Sequence, residues 1–351
     1  MLYDNKLWIK DINKVLEIVP ELDQLTGQCV LITGAAGLIC SAIVDILFRY
    51  NDTHEKTIYI YAAGRSIEKM ESRFGSMIYR PDFTFVQYDA TKEDNQLNFK
   101  ADYIIHGATN ASPLLISNEP AETMLSNFEG MKCLLNYAKE QRTKRVLYIS
   151  SSEVYGQKYK NQPFKENEYG FVDLLNPRNV YSIGKRAAET LCVAYAYEYG
   201  VESVIVRPGH IYGPTATERD TRVSSAWAYD VAKGHDIIMK SNGTQLRSYC
   251  YCLDCATAIL KVMIKGKNIN AYNISNPDSI ISIRELATIL TEVTKVNLRI
   301  ELPTEMEKKS FNPMSNSSLD SEKLLALGWK GCFDALTGLT HTVQILKKIS
   351  T

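Results

Sequence analysis

The chain has 351 residues, 40 basic and 40 acidic side chains, 45% hydrophobic residues and 23% charged ones. That composition suits a soluble globule of one large domain or a large one with a smaller one, and the balanced charge leaves no footprint for nucleic acid. No apolar run approaches the ~18–20 residues of a membrane span, and charges interrupt the apolar positions of the N-terminus, unlike a signal peptide. The expectation is a cytoplasmic protein with neither nucleic acid nor membrane as a partner.

Residues 1–27 carry Leu7, Trp8, Ile12, Val15, Leu16 and Val19 at helical spacing, which predicts an N-terminal helical extension. From Gln28 the text "QCVLITGAAGLICSAIVDILFRY" reads strand, glycine turn, helix. Gly34 and Gly37 allow a tight turn that brings backbone N–H groups and a helix N-terminus up to a pyrophosphate. A third glycine belongs three residues on; Cys40 stands there, small enough to predict a slightly shifted helix and not a lost site. The second strand, "KTIYIYAAGR", ends on Arg65 without the carboxylate that would bond an NAD ribose. Arg65 either grips a 2′-phosphate or stacks on adenine, so NAD and NADP both stay open.

Strands "FTFVQYDAT" and "ADYIIHGAT" follow, then a long helical stretch into "RVLYISSSEVYG". Val146 to Ile149 form the apolar run of a strand covered on both faces, and Ser150, Ser151, Ser152 and Glu153 follow where ligands sit in open α/β sheets. A helix then carries Tyr181 and Lys185, four residues apart and therefore about 5–6 Å apart at Cβ on one face. A lysine ammonium there is expected to lower the tyrosine pKa, so that a phenolate can accept a proton from a hydroxyl while its carbon gives hydride to nicotinamide.

Alternating strands and helices predict an α/β fold, a Rossmann-type doubly wound parallel sheet. Residues 28–212 form its dinucleotide-binding unit. Residues 213–351 form a smaller substrate-binding region, with some chain returning to the core. In "YCYCLDCATAIL" the cysteines Cys250, Cys252 and Cys255 lack metal-site spacing and a nearby histidine, so no metal is expected. A strand running into a helix capped by Asp254 is expected instead.

The glycine turn, "SSSEVYG", Tyr181 with Lys185, and "RPGHIYGP" occur in one order, and together they resemble the extended short-chain dehydrogenase/reductase superfamily, with its NAD-dependent nucleotide-sugar epimerases, dehydratases and decarboxylases. The resemblance covers Gln28 to the C-terminus. It implies that Ser151 bonds the substrate's C4 oxygen beside Tyr181, and that Leu38, Ile39, Asp89, Ala90, Ala108, Asn127 and Pro208 line the cofactor together with Gly34, Gly37, Arg65, Tyr181 and Lys185. It also implies a nucleotide-sugar substrate, contacts to it from Glu153 and Arg247, and a homodimer built on helices that include the one bearing Tyr181. His210 stands where the family commonly has asparagine, and is either a substrate contact or a satisfied histidine beside the loop.

Oxidation at the sugar C4 makes the neighbouring positions acidic, and the next step defines the enzyme. Likeness to dTDP-glucose 4,6-dehydratases is weakened because Ser152 stands where they have aspartate, although GDP-mannose dehydratases use a hydroxyl and glutamate much like Ser151 and Glu153. UDP-glucuronate decarboxylases resemble the chain at "SSEVYG" and also at "HGATNASP", near their "ASPASP". In that comparison Ser152, Glu153 and Arg247 serve decarboxylation. A UDP-glucuronate decarboxylase is therefore the leading expectation. A 4-epimerase, a 4,6-dehydratase and a non-catalytic nucleotide-binding sensor or structural subunit are the alternatives.

Overall fold

The computed structural model describes residues 1–109, 111, 113–158, 161–301, 303–304 and 314–349. Seven parallel strands make the main sheet in the order β10-β6-β5-β4-β1-β2-β3. They are β1 (Cys29–Thr33), β2 (Tyr59–Gly64), β3 (Phe83–Gln87), β4 (Tyr103–His106), β5 (Arg145–Ile149), β6 (Ser203–Pro208) and β10 (Asn270–Ile274). The strand order reverses between β1 and β4, which opens the crevice at their carboxyl ends where such sheets bind ligands. The central strands are short apolar runs because both faces are covered: Val30, Leu31, Ile32, Val146 and Leu147 are fully buried.

Helix α1 (Lys6–Leu16) begins where the Asn5 side chain accepts from the N–H groups of Leu7 and Trp8. It packs on α2 (Leu38–Thr53), which runs from the glycine turn and is buried along most of its length. The extension is fastened by polar contacts as well as by Trp8, Ile12 and Val15 in the core. Trp8 Nε1 donates to Asp45 at 2.8 Å, the Tyr251 hydroxyl to Asp11 at 3.2 Å, and Lys261 pairs with Glu21 at 2.7 Å. Opposite this layer, α5 (Pro120–Gln141) and α6 (Val180–Tyr199) pack side by side.

The later chain builds a small sheet from β7 (His210–Tyr212), β9 (Leu246–Tyr251), β11 (Ile280–Ser282) and β13 (Asn316–Ser317), with β8 (Ile237–Met239) paired to β12 (Leu298–Ile300). Helix α7 (Val223–Ala232) and helix α9 (Ile283–Thr294) belong to this region. A terminal helix, Ala335–Ile349, was not foreseen and packs against both. Strand β9 does run into a helix, α8 (Cys252–Lys265), and Cys250, Cys252 and Cys255 are fully buried at the joint. Asp254, however, does not cap it: its carboxylate accepts the N–H groups of Cys332 at 2.8 Å and Phe333 at 3.0 Å. It staples the terminal segment to the core, because those donors face it across the fold. Among the described residues no group of His, Cys, Asp and Glu could hold a metal ion.

Candidate active site

The glycine turn adopts the geometry its spacing predicts. Gly34 has φ +69°, and a Cβ there would lie 2.9 Å from the Gly107 carbonyl oxygen, so only glycine fits without displacing β4's end. Gly37 precedes α2, and among the described residues no side chain caps that helix. Its first N–H groups are therefore free for an anionic group, which is the fit a pyrophosphate requires. Cys40 is buried with its sulfur against Gly107, so the glycine that makes room stands on β4's side of the crevice.

A cavity of about 1530 Å³ runs along this turn, lined by Gly34, Gly37, Arg65, Asp89, Ala90 and Ala108. The other residues assigned to the cofactor, Leu38, Ile39, Asn127, Tyr181, Lys185 and Pro208, lie outside its lining. Asn127 is buried, with its side chain engaged by Thr123 O at 2.7 Å, the Thr109 hydroxyl at 3.0 Å and the Tyr148 hydroxyl at 3.2 Å. Asp89 holds Thr91 through its N–H and hydroxyl; although burial opposes it, those bonds and Arg65 keep the carboxyl below its usual value. Beneath the turn the Thr33 hydroxyl meets His106 Nδ1 at 2.7 Å and accepts the N–H groups of Gly107 and Ala108 at 3.2 Å each. Burial, then Lys185, pushes His106 down to about 3, so it is neutral. Within "HGATNASP", Asn110 and Ser112 lie outside the described residues.

Tyr181, Lys185 and Ser151 meet at the end of β5. Ser151 lies close enough to Tyr181 for its side chain to favour the phenolate. Lys185 Nζ donates to Ile149 O at 2.8 Å and lies 5.7 Å from the centroid of the Tyr181 ring. The expected lowering of the tyrosine pKa is not found. Burial, then the Glu153 carboxylate, pushes Tyr181 up to about 12, against the pull of Ser151, Arg222 and Arg178. Burial likewise pushes Lys185 down to about 7, against Glu189 one turn along α6. With its pKa drawn down to about 7, Lys185 supplies only part of the field that the spacing suggested. Glu189 is itself held by Arg207 at 2.6 Å, and Arg207 reaches the Tyr155 hydroxyl at 3.1 Å, so α6, β6 and the turn after β5 are tied by one buried network.

Ser152 and Glu153 open a single 3₁₀ turn, Ser152–Tyr155, whose start is capped by Ser151 accepting the Glu153 N–H at 3.2 Å. Both Glu153 oxygens are taken by Arg178, at 3.2 Å each. Burial works against the Arg178 charge, but Glu153 outweighs it and the guanidinium pKa rises. Arg178 escaped the sequence reading; its signal was a basic residue three positions before Tyr181, in "NPRNVY". Arg222 was also missed; it is paired with Asp220 and close enough to act on both Tyr181 and His210.

His210 is part-buried on β7 with a wholly buried Nδ1 that has no partner among the described residues, so it is not a satisfied histidine. Burial, then Arg247 and Arg222, pushes it down to about 3. Arg247 is buried on β9; its Nη1 donates to the carbonyls of Leu246 at 2.8 Å and Met314 at 3.1 Å. It meets no carboxylate among the described residues, and burial lowers its pKa. The geometry thus unites Ser151, Glu153 and Tyr181 directly, with His210 and Arg247 adjoining one another beside them.

The model of the NAD dependent epimerase/dehydratase family matches residues 30–275. UDP-glucuronic acid decarboxylase 6 of Arabidopsis thaliana is 31% identical over 301 residues, covering 86% of this chain and 83% of that protein. UDP-glucose 4-epimerase of Thermotoga maritima, solved with UDP-glucose, superposes with a TM-score of 0.76 at 23% identity over 92% of this chain and 100% of that one. UDP-glucuronic acid 4-epimerase of Bacillus cereus, solved with UDP-glucuronic acid and NAD, gives a TM-score of 0.76 at 19% identity, over 92% and 99%.

Proposed function

The chain belongs to the NAD-dependent epimerase/dehydratase family and is an enzyme of nucleotide sugars, and from that premise we propose that it is a UDP-glucuronate decarboxylase. The observation that carries this reading is the carboxylate of Glu153, held by Arg178 and close enough to Tyr181 to act on it, as Ser151 does. Similarity to the plant decarboxylase supports the substrate.

Tyr181 accepts the proton of the C4 hydroxyl while Ser151 holds that oxygen in place. The nicotinamide cofactor, when bound, supplies the acceptor for the C4 hydride and later returns it. Lys185 holds the strand end through Ile149 O and, when protonated, favours the phenolate, as do the nearby Arg178 and Arg222 charges. With C4 a ketone, the C5 carboxylate is that of a β-keto acid, so the C5–carboxylate bond breaks and its electron pair enters the enolate. Glu153 is the group placed to relay a proton from solvent to C5 of that enolate, which completes the loss of carbon dioxide. Ser152 assists at the same turn, while Arg247 and His210 face the rest of the nucleotide sugar.

We assign NAD as the cofactor. The family is NAD dependent and Arg65 shares its charge with the Asp89 carboxylate; titration with NADH against NADPH tests the assignment. Residues 28–212 serve as the dinucleotide unit and residues 213–351 mainly as the substrate unit. A homodimer would use the α5–α6 face, where Leu125 and Tyr197 are 53% and 96% exposed; light scattering reads its mass. All eight cysteines are free, in keeping with the cytoplasm.

The same ion pair favours one second reading. If Arg178 silences Glu153 permanently, the keto sugar can only turn over and take its hydride back, which is 4-epimerisation. Mass spectrometry of protein incubated with UDP-glucuronate, UDP-glucose, UDP-N-acetylglucosamine, dTDP-glucose or GDP-mannose separates the two. Loss of carbon dioxide from the glucuronate is expected. An unchanged mass with a new chromatographic peak would establish the epimerase, and loss of water from a neutral sugar would establish a dehydratase.

A further inference from the structure

The N-terminal extension is the segment that this chemistry leaves unused, yet its beginning reaches the cofactor groove. Leu2, Asn5 and Lys6 line the same cavity as Gly34, Gly37 and Arg65. The segment is held firmly there. Leu2 is 7% exposed, the Tyr3 hydroxyl donates to Asp52 at 2.7 Å, and Asn5 caps α1. Trp8 is fully buried with its indole N–H on Asp45 Oδ2 at 2.8 Å.

Asp45 passes that constraint onward. The same oxygen accepts Arg73 Nη2 at 2.6 Å, and Arg73, on the helix Ile67–Phe74 that follows β2, lines the cavity. Trp8 therefore fixes the carboxylate that fixes the arginine. Around this pair, Ser41 Oγ, Asp45 Oδ1, Arg73 Nε and Arg73 Nη1 are all buried and have no partner among the described residues. Buried donors and acceptors are seldom left unmatched. Four of them together, with both donors and acceptors represented and one member on the cavity wall, suit a hydroxyl-rich ligand or the water it orders. The cavity wall beside them runs from the phosphate turn to Arg65 and Asp89, the stretch assigned to the adenosine half of a dinucleotide.

We propose that the N-terminal segment is part of the dinucleotide site: Trp8 orients Arg73 through Asp45, while Leu2 and Lys6 wall the adenosine end so that the reduced cofactor is retained. This rests on the reading of the protein as a nicotinamide-dependent nucleotide-sugar enzyme. The overall decarboxylation consumes no oxidant, so the hydride removed from C4 must return to the same sugar. Escape of the reduced cofactor between those steps would strand a 4-keto product.

The test uses the full chain with Trp8→Phe, which keeps an aromatic ring and removes the N–H, and with Lys6→Ser at an exposed position. NADH affinity and its dissociation rate on displacement by NAD are followed by fluorescence, with Tm recorded alongside. Trp8→Phe should raise the dissociation rate about fivefold, as for a lost buried hydrogen bond, and Lys6→Ser about twofold to threefold. Both variants should release more 4-keto sugar per turnover. Unchanged release of NADH from both variants overturns the proposal. If Trp8→Phe lowers Tm substantially, Lys6→Ser alone decides. A wild-type protein that binds neither NADH nor NADPH would bring down the functional reading itself, an outcome distinct from unchanged NADH release in variants that still bind it.

Discussion

The two halves of the catalytic constellation are built in opposite ways. Tyr181 and Lys185 are 6% and 1% exposed and lie on one helix face, where every nearby charge acts through little solvent. Glu153 and Arg178 have side chains 36% exposed, sit on two short turns, and meet through a salt bridge that water screens. The buried half is electrically expensive, and on the proposed reading it carries the removal of a proton and a hydride. The exposed half can rearrange when a ligand displaces water. We locate the choice among decarboxylation, epimerisation and dehydration there.

If that division holds, the largest effect comes from the buried half. Tyr181→Phe should lower kcat about 10³-fold, as loss of a positioned acid–base group does, and should abolish the transient absorbance of reduced cofactor together with product. Retention of activity in that variant would take the proton transfer at C4 away from Tyr181. Glu153→Gln should divide the two halves cleanly. Carbon dioxide release from UDP-glucuronate falls about 10²-fold, while reduced cofactor still forms, because C4 oxidation does not need the carboxylate. Undiminished carbon dioxide release would leave Glu153 a structural carboxylate.

A smaller effect is expected from Arg178→Lys, which keeps the charge and loses the two-pronged grip on Glu153. Turnover should fall about tenfold, since a lysine cannot replace bidentate geometry. Because the change acts through Glu153, it should add almost nothing in the Glu153→Gln background. Independent, additive losses in the double variant would show that Arg178 touches the substrate on its own account.

The same contrast explains what could be read before the structure. The glycine turn and the Tyr181–Lys185 spacing are local signals: a strand, a tight turn and a helix period fix them within a few residues. Arg178 was overlooked because its partner Glu153 lies 25 positions away and neither turn has a periodic pattern. Asp254 was misread for a similar reason. A carboxylate in a first helical turn looks like a cap, but the N–H group that it accepts most closely is 78 positions downstream. Cys40 looked like a defect in the fingerprint until Gly107 was seen to supply the missing space. The direction of the Tyr181 shift was missed because spacing reports proximity and says nothing of desolvation.

That last error yields the most subtle prediction. Lys185 is almost fully enclosed and its pKa is pushed down to about 7 by burial, while an unfolded chain keeps it near 10.5. Below about 7 the amine is charged in both states, and the folded protein bears the full cost of burying that charge. Between about 7 and 10.5 only the unfolded chain binds the proton, so raising the pH removes the unfolded state's advantage and stability from this group rises. Above 10.5 the cost has vanished. Lys185→Met removes the titration, so wild-type stability relative to that variant should climb steadily between pH 7 and pH 10. Parallel denaturation of the two proteins across that range reads the slope directly. A flat difference would mean that Lys185 keeps its proton when folded, in which case its charge would also favour the Tyr181 phenolate.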